Sequence, residues 1–268
     1  MTATAAHLVA ENLTAGHQGV AAFFGVDLNL APGTIHGIIG PNGAGKSTLL
    51  AALGAMHPVS SGTVRVAGHC LATLTAREKA HLRAHVPQGL DSESEFTVES
   101  FVALGRYAHR TRFGPLTGQD RGAIDQALHR TGVTHLARRQ LQSLSGGQRQ
   151  LVAIAKALAQ EATFLLLDEP LSALDPRHQM EVLQVLRACA AASVGVVIVM
   201  HDLTLAGRLC HRLSVLAHGR IHASGSPEAV LTPEILAEVY GVEAVVNTDP
   251  NTGAPSVTLL APLLAAAH

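Results

Sequence analysis

The sequence of 268 residues predicts an α/β fold with a mostly parallel central sheet. Three short apolar runs, residues 35–39, 164–167 and 196–200, have the composition of strands that are buried on both faces. Glycine-rich or polar residues follow each run directly, as expected where the carboxyl ends of parallel strands form a ligand site. Around this core we predict two additions, an N-terminal antiparallel β-subdomain and an inserted α-helical subdomain.

Length and composition restrict the possible functions. Charged residues make up 15% of the chain and hydrophobic residues 47%, which excludes a disordered or acidic-tail protein. The formal net charge is −1, so we expect no nucleic-acid partner that depends on an overall basic field. The apolar runs are far shorter than the roughly 20 residues that cross a bilayer. The first residues also lack the basic start and continuous apolar core of a secretion signal, so we expect any membrane role to come through a partner.

Hydrophobic patterns along the chain place the two additions. Residues 26–30 and 63–67 alternate apolar and polar side chains, which is typical of strands with one solvent-facing side. Strand patterns then vanish and helical patterns take their place, until helix and strand alternate again. We therefore predict one domain with four segments: residues 1–88 (β-subdomain and start of the core), 89–144 (helical subdomain), 145–240 (rest of the core) and 241–268 (C-terminal tail).

A glycine-rich loop follows the first apolar run. Its glycines let the backbone curl so that N–H groups turn toward phosphates, and the next helix directs its positive end to the same place. Lys46 is expected to contact the β- and γ-phosphates of a nucleoside triphosphate, and the Ser47 hydroxyl to ligate Mg²⁺. The core is therefore predicted to be that of a P-loop NTPase. The candidate nucleotide-binding residues of this loop are Gly40, Pro41, Asn42, Gly43, Ala44, Gly45, Lys46, Ser47 and Thr48.

Two adjacent carboxylates, Asp168 and Glu169, follow the second apolar run. A charged pair at the end of a buried strand is costly without a cation, so this pair predicts a Mg²⁺ site. An N-capping Asp-Glu-Pro before a helix is the structural alternative when the pair is considered alone. His201 follows the third apolar run, at the same predicted edge of the sheet.

A second candidate anion site lies at residues 145–148, before an amphipathic helix that begins there. The free N–H groups and the dipole of a helix start can receive an anion. Because the phosphates of this chain's own nucleotide are already enclosed by the first loop, we expect this helix start to contact nucleotide held by another copy. A plain serine N-cap explains Ser145 but not the whole motif. The candidate residues are Ser145, Gly146, Gly147 and Gln148.

With these motifs the sequence resembles the nucleotide-binding subunit of an ABC transporter over nearly its whole length. The resemblance implies ATP and Mg²⁺ as cofactors, with Asp168 in the Mg²⁺ shell and Glu169 as the general base for the attacking water. It implies that Gln88 touches Mg²⁺ or that water, and that His201 contacts the γ-phosphate. It also implies a head-to-tail dimer that sandwiches two ATP molecules, with residues 172–175 crossing the interface.

Adenine recognition departs from the family pattern. The family commonly stacks adenine on an aromatic side chain, often tyrosine, at the position that His17 occupies here. Either His17 stacks the base, or Phe23 or Phe24 replaces it.

Two functions from different classes fit the family resemblance. One is the ATPase subunit of a membrane importer, and the alternative is a soluble ABC ATPase acting on the ribosome or DNA. A P-loop kinase or GTPase is a third possibility, but it gives residues 144–150 no role. The single cassette, without a charged linker or long coiled coil, favours the importer.

Three shorter segments indicate which group of importers the sequence resembles. Residues 96–99, 104–109 and 249–253 resemble the ATPases of importers for iron-siderophore, haem and cobalamin. This resemblance implies a homodimer bound to separate transmembrane permease subunits, which a substrate-binding protein reaches through the permease. It places the chain at the cytoplasmic face of the inner (plasma) membrane as a peripheral subunit. The cargo does not touch this subunit, so the sequence leaves the cargo open.

Overall fold

The computed structural model describes residues 6–89, 95–110, 114–172 and 174–263, apart from the side chain of His17. The strands are β1 (Leu8–His17), β2 (Val20–Leu30), β3 (Ile35–Ile39), β4 (Ser61–Val66), β5 (His69–Cys70), β6 (Arg83–Val86), β7 (Phe164–Asp168), β8 (Gly195–Val199), β9 (Arg212–Ala217), β10 (Arg220–Gly225), β11 (Val242–Thr248) and β12 (Pro255–Pro262). The α-helices are α1 (Lys46–Leu53), α2 (Ala76–Leu82), α3 (Val98–Ala103), α4 (Gly118–Arg130), α5 (Gly146–Ala159), α6 (Pro176–Ala191), α7 (Leu203–Leu209), α8 (Pro227–Val230) and α9 (Pro233–Tyr240). Short 3₁₀ helices cover Leu71–Thr73, Leu104–Ala108, Thr134–Leu136 and Leu141–Ser143.

The central sheet has six strands in the order β10-β9-β3-β8-β7-β6. Strands β9, β3, β8, β7 and β6 pair in parallel, and β10 is an antiparallel edge strand. The predicted mostly parallel α/β core is therefore confirmed. Because these strands are parallel, the residues that follow β3, β6, β7 and β8 all lie at one edge of the sheet.

The central sheet is buried on both faces, as the apolar runs predict. Along β3, Ile38 belongs to one hydrophobic core and its neighbour Ile39 to the other. Strand β7 alternates in the same way, with Leu166 on the first face and Leu167 on the second. The first core also holds α1 and the antiparallel sheet, and the second holds α5 and α6. Because the strands are packed on both faces, the strand ends that carry the polar residues are held in fixed positions.

The N-terminal antiparallel sheet has the order β2-β1-β4-β5. The predicted strand at residues 26–30 lies within β2, and the one at residues 63–67 overlaps β4. Strand β1 was not predicted. Its pairing with β2 shifts register three times between Ala10 and Gly16, and Asn12 has a positive φ of 47°, so its side chains do not keep a simple alternation.

Helices α3 and α4 and three short 3₁₀ helices are the main described elements between β6 and α5. Helices α3 and α4 pack against each other and against α5. An isolated bridge between Thr97 and Gln140 holds the two ends of the segment together. The buried Arg106 guanidinium donates to Asp120 on α4 at 2.9 Å and to the carbonyl oxygen of Ala159 on α5 at 2.8 Å. One buried cation therefore ties the helical segment to the end of α5.

The C-terminal tail forms a hairpin of β11 and β12. Residues 249–253 lie in the connection between these two strands. Strand β12 was not predicted, since most of its side chains are exposed and leave no alternation. Within the parts of the chain that the structure describes, every helix is too short or too polar to span a membrane.

Candidate nucleotide-binding and hydrolysis site

The glycine-rich loop between β3 and α1 has the backbone that a phosphate cradle needs. Gly45 caps α1 in a left-handed conformation, with φ 92°, which an L side chain rarely adopts. Gly40 approaches the carbonyl oxygen of Leu216 so closely that a Cβ there would lie only 2.0 Å from it. Gly43 has φ 78° and a solvent-exposed backbone. The loop is therefore fixed at both ends and open at its centre.

Lys46 lies inside this loop. Its side chain is 5% exposed, and its ammonium donates to the carbonyl oxygens of Gly40 at 2.9 Å and Pro41 at 2.8 Å. Burial lowers the pKa of this ammonium, while the carboxylates of Glu169 and Asp168 oppose the shift. A positive charge held in a desolvated loop favours an anionic ligand, and here the phosphates of a nucleotide fit that requirement.

Ser47 and Asp168 form the candidate Mg²⁺ site. The Ser47 hydroxyl donates to Asp168 Oδ1 at 2.9 Å. Neighbouring oxygens of an octahedral Mg²⁺ shell, each about 2.1 Å from the ion, lie about 3 Å apart, so this pair fits two adjacent ligand positions. Burial raises the pKa of the Asp168 carboxyl, and a neighbouring cation would favour its ionised form. The donor set therefore fits Mg²⁺.

Glu169 lies between two polar side chains from neighbouring strand ends. Gln88 Nε2 donates to Glu169 Oε2 at 2.8 Å, and His201 Nε2 donates to Glu169 Oε1 at 2.5 Å. The backbone of Glu169 has a positive φ of 46°, a strained conformation for a residue with a Cβ. The Ser172 hydroxyl donates to its carbonyl oxygen at 2.8 Å and helps to hold this turn. The fold thus brings together Gln88, Glu169 and His201, as the sequence predicts.

The second predicted anion site lies at the start of α5. The Ser145 hydroxyl accepts from the N–H of Gln148, and the Gln148 side chain accepts from the N–H of Ser145, which makes a capping box. The Gln148 side chain therefore serves the helix cap in this structure. At Gly146, a Cβ would meet no heavy atom within 4 Å, so this helix start presents an open surface.

The structure separates the candidates for adenine stacking. Phe23 is fully buried in the core, so it is not available to a nucleotide, and that alternative was wrong. Phe24 is 43% exposed, and its ring lies 6.0 Å from the Arg220 guanidinium. The side chain of His17, the first candidate, lies outside the described residues.

Known proteins are similar to this chain over most of its length. The family model described as ABC transporter matches residues 23–172, more than half of the chain. The chain belongs to the ABC transporter family.

Two curated relatives of this ABC protein are import ATP-binding proteins. The cobalamin import ATP-binding protein BtuD of Halobacterium salinarum is 45% identical over 236 residues, which cover 88% of this chain and 59% of the relative. The chain thus spans less than two thirds of that relative's length. The hemin import ATP-binding protein HmuV of Bordetella bronchiseptica is 44% identical over 256 residues, 91% of this chain and 95% of the relative.

A solved structure has a similar fold over most of this chain. It is named as an inward-facing conformation of a metal-chelate type ABC transporter, and it is 30% identical with a TM-score of 0.83. The match covers 96% of this chain and 98% of that chain. The predicted P-loop NTPase core is confirmed by this likeness.

Some features of this ABC cassette were not predicted from its sequence. The positive φ of Glu169 has no sequence signal, because glycine or asparagine would be the usual residue there. His178 on α6 packs against Gly147 of the second motif. The i, i+3 spacing of Asp175 and His178 could have indicated a capped helix start, but not this contact.

Proposed function

We propose that this chain is the ATP-hydrolysing subunit that powers a membrane importer. The observation that carries the proposal is the position of Glu169 at the edge of the sheet, held by Gln88 and His201 and next to the Ser47–Asp168 pair. This places a candidate general base beside a candidate Mg²⁺ site and a phosphate loop, which together are the parts that phosphoryl transfer to water requires.

In this mechanism the loop binds the triphosphate of ATP. The backbone N–H groups of the loop and the Lys46 ammonium neutralise the β- and γ-phosphates. Ser47 and Asp168 would hold Mg²⁺, which would supply positive charge to neutralise the triphosphate. Glu169 accepts the proton of the water that attacks the γ-phosphorus, as the bond to the β-phosphate oxygen breaks. His201 and Gln88 orient the Glu169 carboxylate through the hydrogen bonds to its two oxygens.

The second motif supports a site built from two copies. Ser145 lies at the start of α5, a helix that packs with α3 and α4, and its motif presents an open surface at Gly146. An open helix start without a nucleotide loop of its own suits the γ-phosphate of ATP bound to the partner copy. Two copies arranged head to tail would complete two such sites.

A groove beside the helical segment supports a permease contact. Its lining includes Arg77 on α2 and the exposed side chains of Leu104 and Tyr107, and its volume is about 610 Å³. The strand β6 runs from α2 to the segment that carries Gln88, so a partner in the groove is linked to the candidate hydrolysis site. We assign the groove to a cytoplasmic helix of a separate membrane permease. ATP-driven closure of the dimer would then move the permease halves.

The names of the relatives support a proposal for the cargo. Their names specify cobalamin and hemin, and the similar solved transporter is of metal-chelate type. We therefore propose cobalamin, haem or an iron-siderophore as cargo, delivered to the permease by a substrate-binding protein. In this role the chain is a peripheral subunit at the cytoplasmic face of the inner (plasma) membrane.

The test is transport in proteoliposomes. The chain is purified with the permease encoded beside it, and uptake of cobalamin, haem and an iron-siderophore is measured with MgATP and with the Glu169→Gln variant as control. The expected result is uptake of one cargo that needs both ATP and Glu169. Failure to co-purify with a permease, together with ATPase stimulation by ribosomes or DNA, would contradict the importer and favour the soluble alternative.

A further inference from the structure

The two glycines of the second motif have different surroundings. At Gly146, a Cβ would meet no heavy atom within 4 Å. At Gly147, a Cβ would lie 2.4 Å from Cγ and 2.5 Å from Cδ2 of His178. Gly147 lies inside α5, where any L residue can adopt the backbone conformation. The imidazole of His178 therefore occupies the space that a side chain at residue 147 would need.

The imidazole is held in this place by the start of α6. Asp175 is the N-cap of α6, and its Oδ1 accepts from the N–H of His178 at 2.9 Å. Its Oδ2 accepts from His178 Nδ1 at 2.7 Å, so Nδ1 carries a hydrogen. Both bonds lower the pKa of the Asp175 carboxyl. One carboxylate thus fixes both the backbone and the ring of His178.

This packing joins two elements of the proposed dimer contact. Residues 172 and 175 belong to the segment that the family resemblance places across the interface, and Ser145 and Gly146 belong to the motif assigned to the partner's nucleotide. Ser172 also contacts this chain's own Glu169. Ser172 thus contacts the candidate base, and Asp175, three residues further along the same segment, holds His178 beside the start of α5.

We propose that His178 is a positioning residue for ATP hydrolysis. Its imidazole packs between the start of α5 and Asp175, the N-cap of α6. The starts of these two helices, which both face the second copy, therefore move as one unit. The inference rests on the proposed function, because it concerns the same hydrolysis in the dimer. It also assigns the two glycines different roles: Gly146 leaves room for a ligand, and Gly147 leaves room for His178.

A double-mutant cycle tests this assignment. ATP hydrolysis at saturating MgATP and thermal unfolding are measured for the wild-type chain, Gly147→Ala, His178→Ala and the double variant. We expect alanine at residue 147 to lower kcat by about tenfold or more when His178 is present, because overpacking displaces the helix start. In the His178→Ala background, Gly147→Ala should lower kcat less than about threefold, since the imidazole no longer occupies the space beside residue 147. The melting temperature should show the same coupling, which keeps the test valid if Gly147→Ala folds poorly.

Gly146→Ala is the matched control. If residue 146 leaves room for the partner's nucleotide, its alanine variant should lose activity equally in the presence and absence of His178. An equal loss for Gly147→Ala in both backgrounds, in both kcat and melting temperature, would overturn the role of His178.

A conservative variant separates positioning from folding. His178→Ala should lower kcat about tenfold with little change in the Kd for ATP, because the phosphate loop is intact. His178→Asn keeps a δ-position donor to Asp175 and should stay within about threefold of wild type. Wild-type kcat in His178→Ala would overturn the inference. Absence of ATPase activity in the wild-type chain with its permease would instead contradict the proposed function.

Discussion

Gln88 donates its side-chain amide to Oε2 of Glu169 at 2.8 Å, across a gap between two neighbouring strand ends. His201 donates to the other oxygen of the same carboxylate from the opposite side. Both oxygens of Glu169 are thus oriented by side chains that follow β6 and β8. The carboxylate is preorganised by the sheet, and its strained backbone is held by Ser172.

This arrangement predicts that Glu169→Gln abolishes turnover and preserves ATP binding. An amide cannot accept the proton of the attacking water, and loss of a general base costs about 10²–10⁴ in rate. Hydrolysis and ATP binding are measured on the purified variant. Glu243→Gln, an exposed carboxylate on β11, is the control and should hydrolyse ATP like the wild type. Near-wild-type turnover of Glu169→Gln would remove it from the role of base.

The proposed two-copy site predicts complementation between inactive variants. Ser145→Arg should block the helix start that faces the partner's nucleotide, and Lys46→Ala should disable the phosphate loop. A heterodimer of the two variants has one site with neither change, so mixing them should restore part of the activity. Hydrolysis is measured for each variant and for the mixture at dimerising concentrations. A mixture as inactive as its parents would contradict the composite site.

Local patterns predicted the strand ends and the polar residues that lie together after them. The apolar runs before Gly40, Asp168 and His201 were sufficient to predict three strands. A strand that is buried on both faces has a continuous run of apolar residues in its sequence. Features set by distant contacts were not predictable. The burial of Phe23 rather than Phe24 depends on the register of β2. Between Ala21 and Val26, two shifts in its pairing with β1 each place an extra residue in β2.

Side-chain contacts between distant elements gave no sequence signal either. Asp120 carries a capping-box spacing with Thr117 that is visible in the sequence, but its ion pair with the buried Arg106 is not. The contact of His178 with Gly147 is likewise not visible in the sequence, since the i, i+3 spacing of Asp175 and His178 indicates only a capped helix. The roles of the individual site residues stay predictions, and substitutions at these residues test them.

Adenine stacking is expected at His17 or Phe24, now that Phe23 is excluded. His17→Ala should weaken ATP binding about fivefold to 150-fold, because stacking of a base on an aromatic ring is worth about 1–3 kcal/mol. The smaller face of the imidazole should also let GTP compete better than in relatives with tyrosine. Nucleotide affinities of His17→Ala and Phe24→Ala are compared by titration. An unchanged affinity in His17→Ala with a loss in Phe24→Ala would assign the stacking to Phe24.

The buried pair of Arg106 and Asp120 predicts a large loss of stability on truncation. Among the described residues, Asp120→Ala leaves the Arg106 guanidinium, which is 1% exposed, with the partly exposed Glu161 carboxylate as its remaining charged partner. Removing one partner of a buried pair costs about 3–5 kcal/mol. Urea unfolding measures the loss. The control is Glu181→Ala, which breaks the exposed pair with Arg177 and should cost about 1 kcal/mol or less.

We expect the Asp120 carboxylate to make the stability of the fold sensitive to acid. Hydrogen bonds from the Thr117 side chain and backbone, and then from Arg106, lower the pKa of Asp120 from 3.8 to about 2. Because the folded pKa is below the unfolded one, the stabilisation is complete above about pH 4 and is lost as the pH falls toward 2. Unfolding free energies from pH 5 to pH 2 should fall less steeply for Asp120→Ala than for the wild type. Equal slopes would contradict this contribution.

The groove assigned to the permease predicts that a charge at Leu104 uncouples the two subunits. Leu104 is 44% exposed in the wall of the groove, beside the exposed ring of Tyr107. Leu104→Glu introduces a charge that must be desolvated when an apolar helix face docks, so the affinity for the permease should fall about tenfold or more. Co-purification and uptake in proteoliposomes are measured against Leu259→Glu, a substitution of a leucine on the C-terminal hairpin that is also exposed, at 57%. This control should leave both unchanged. Normal permease binding by Leu104→Glu, or equal losses in the two variants, would exclude this groove as the docking site.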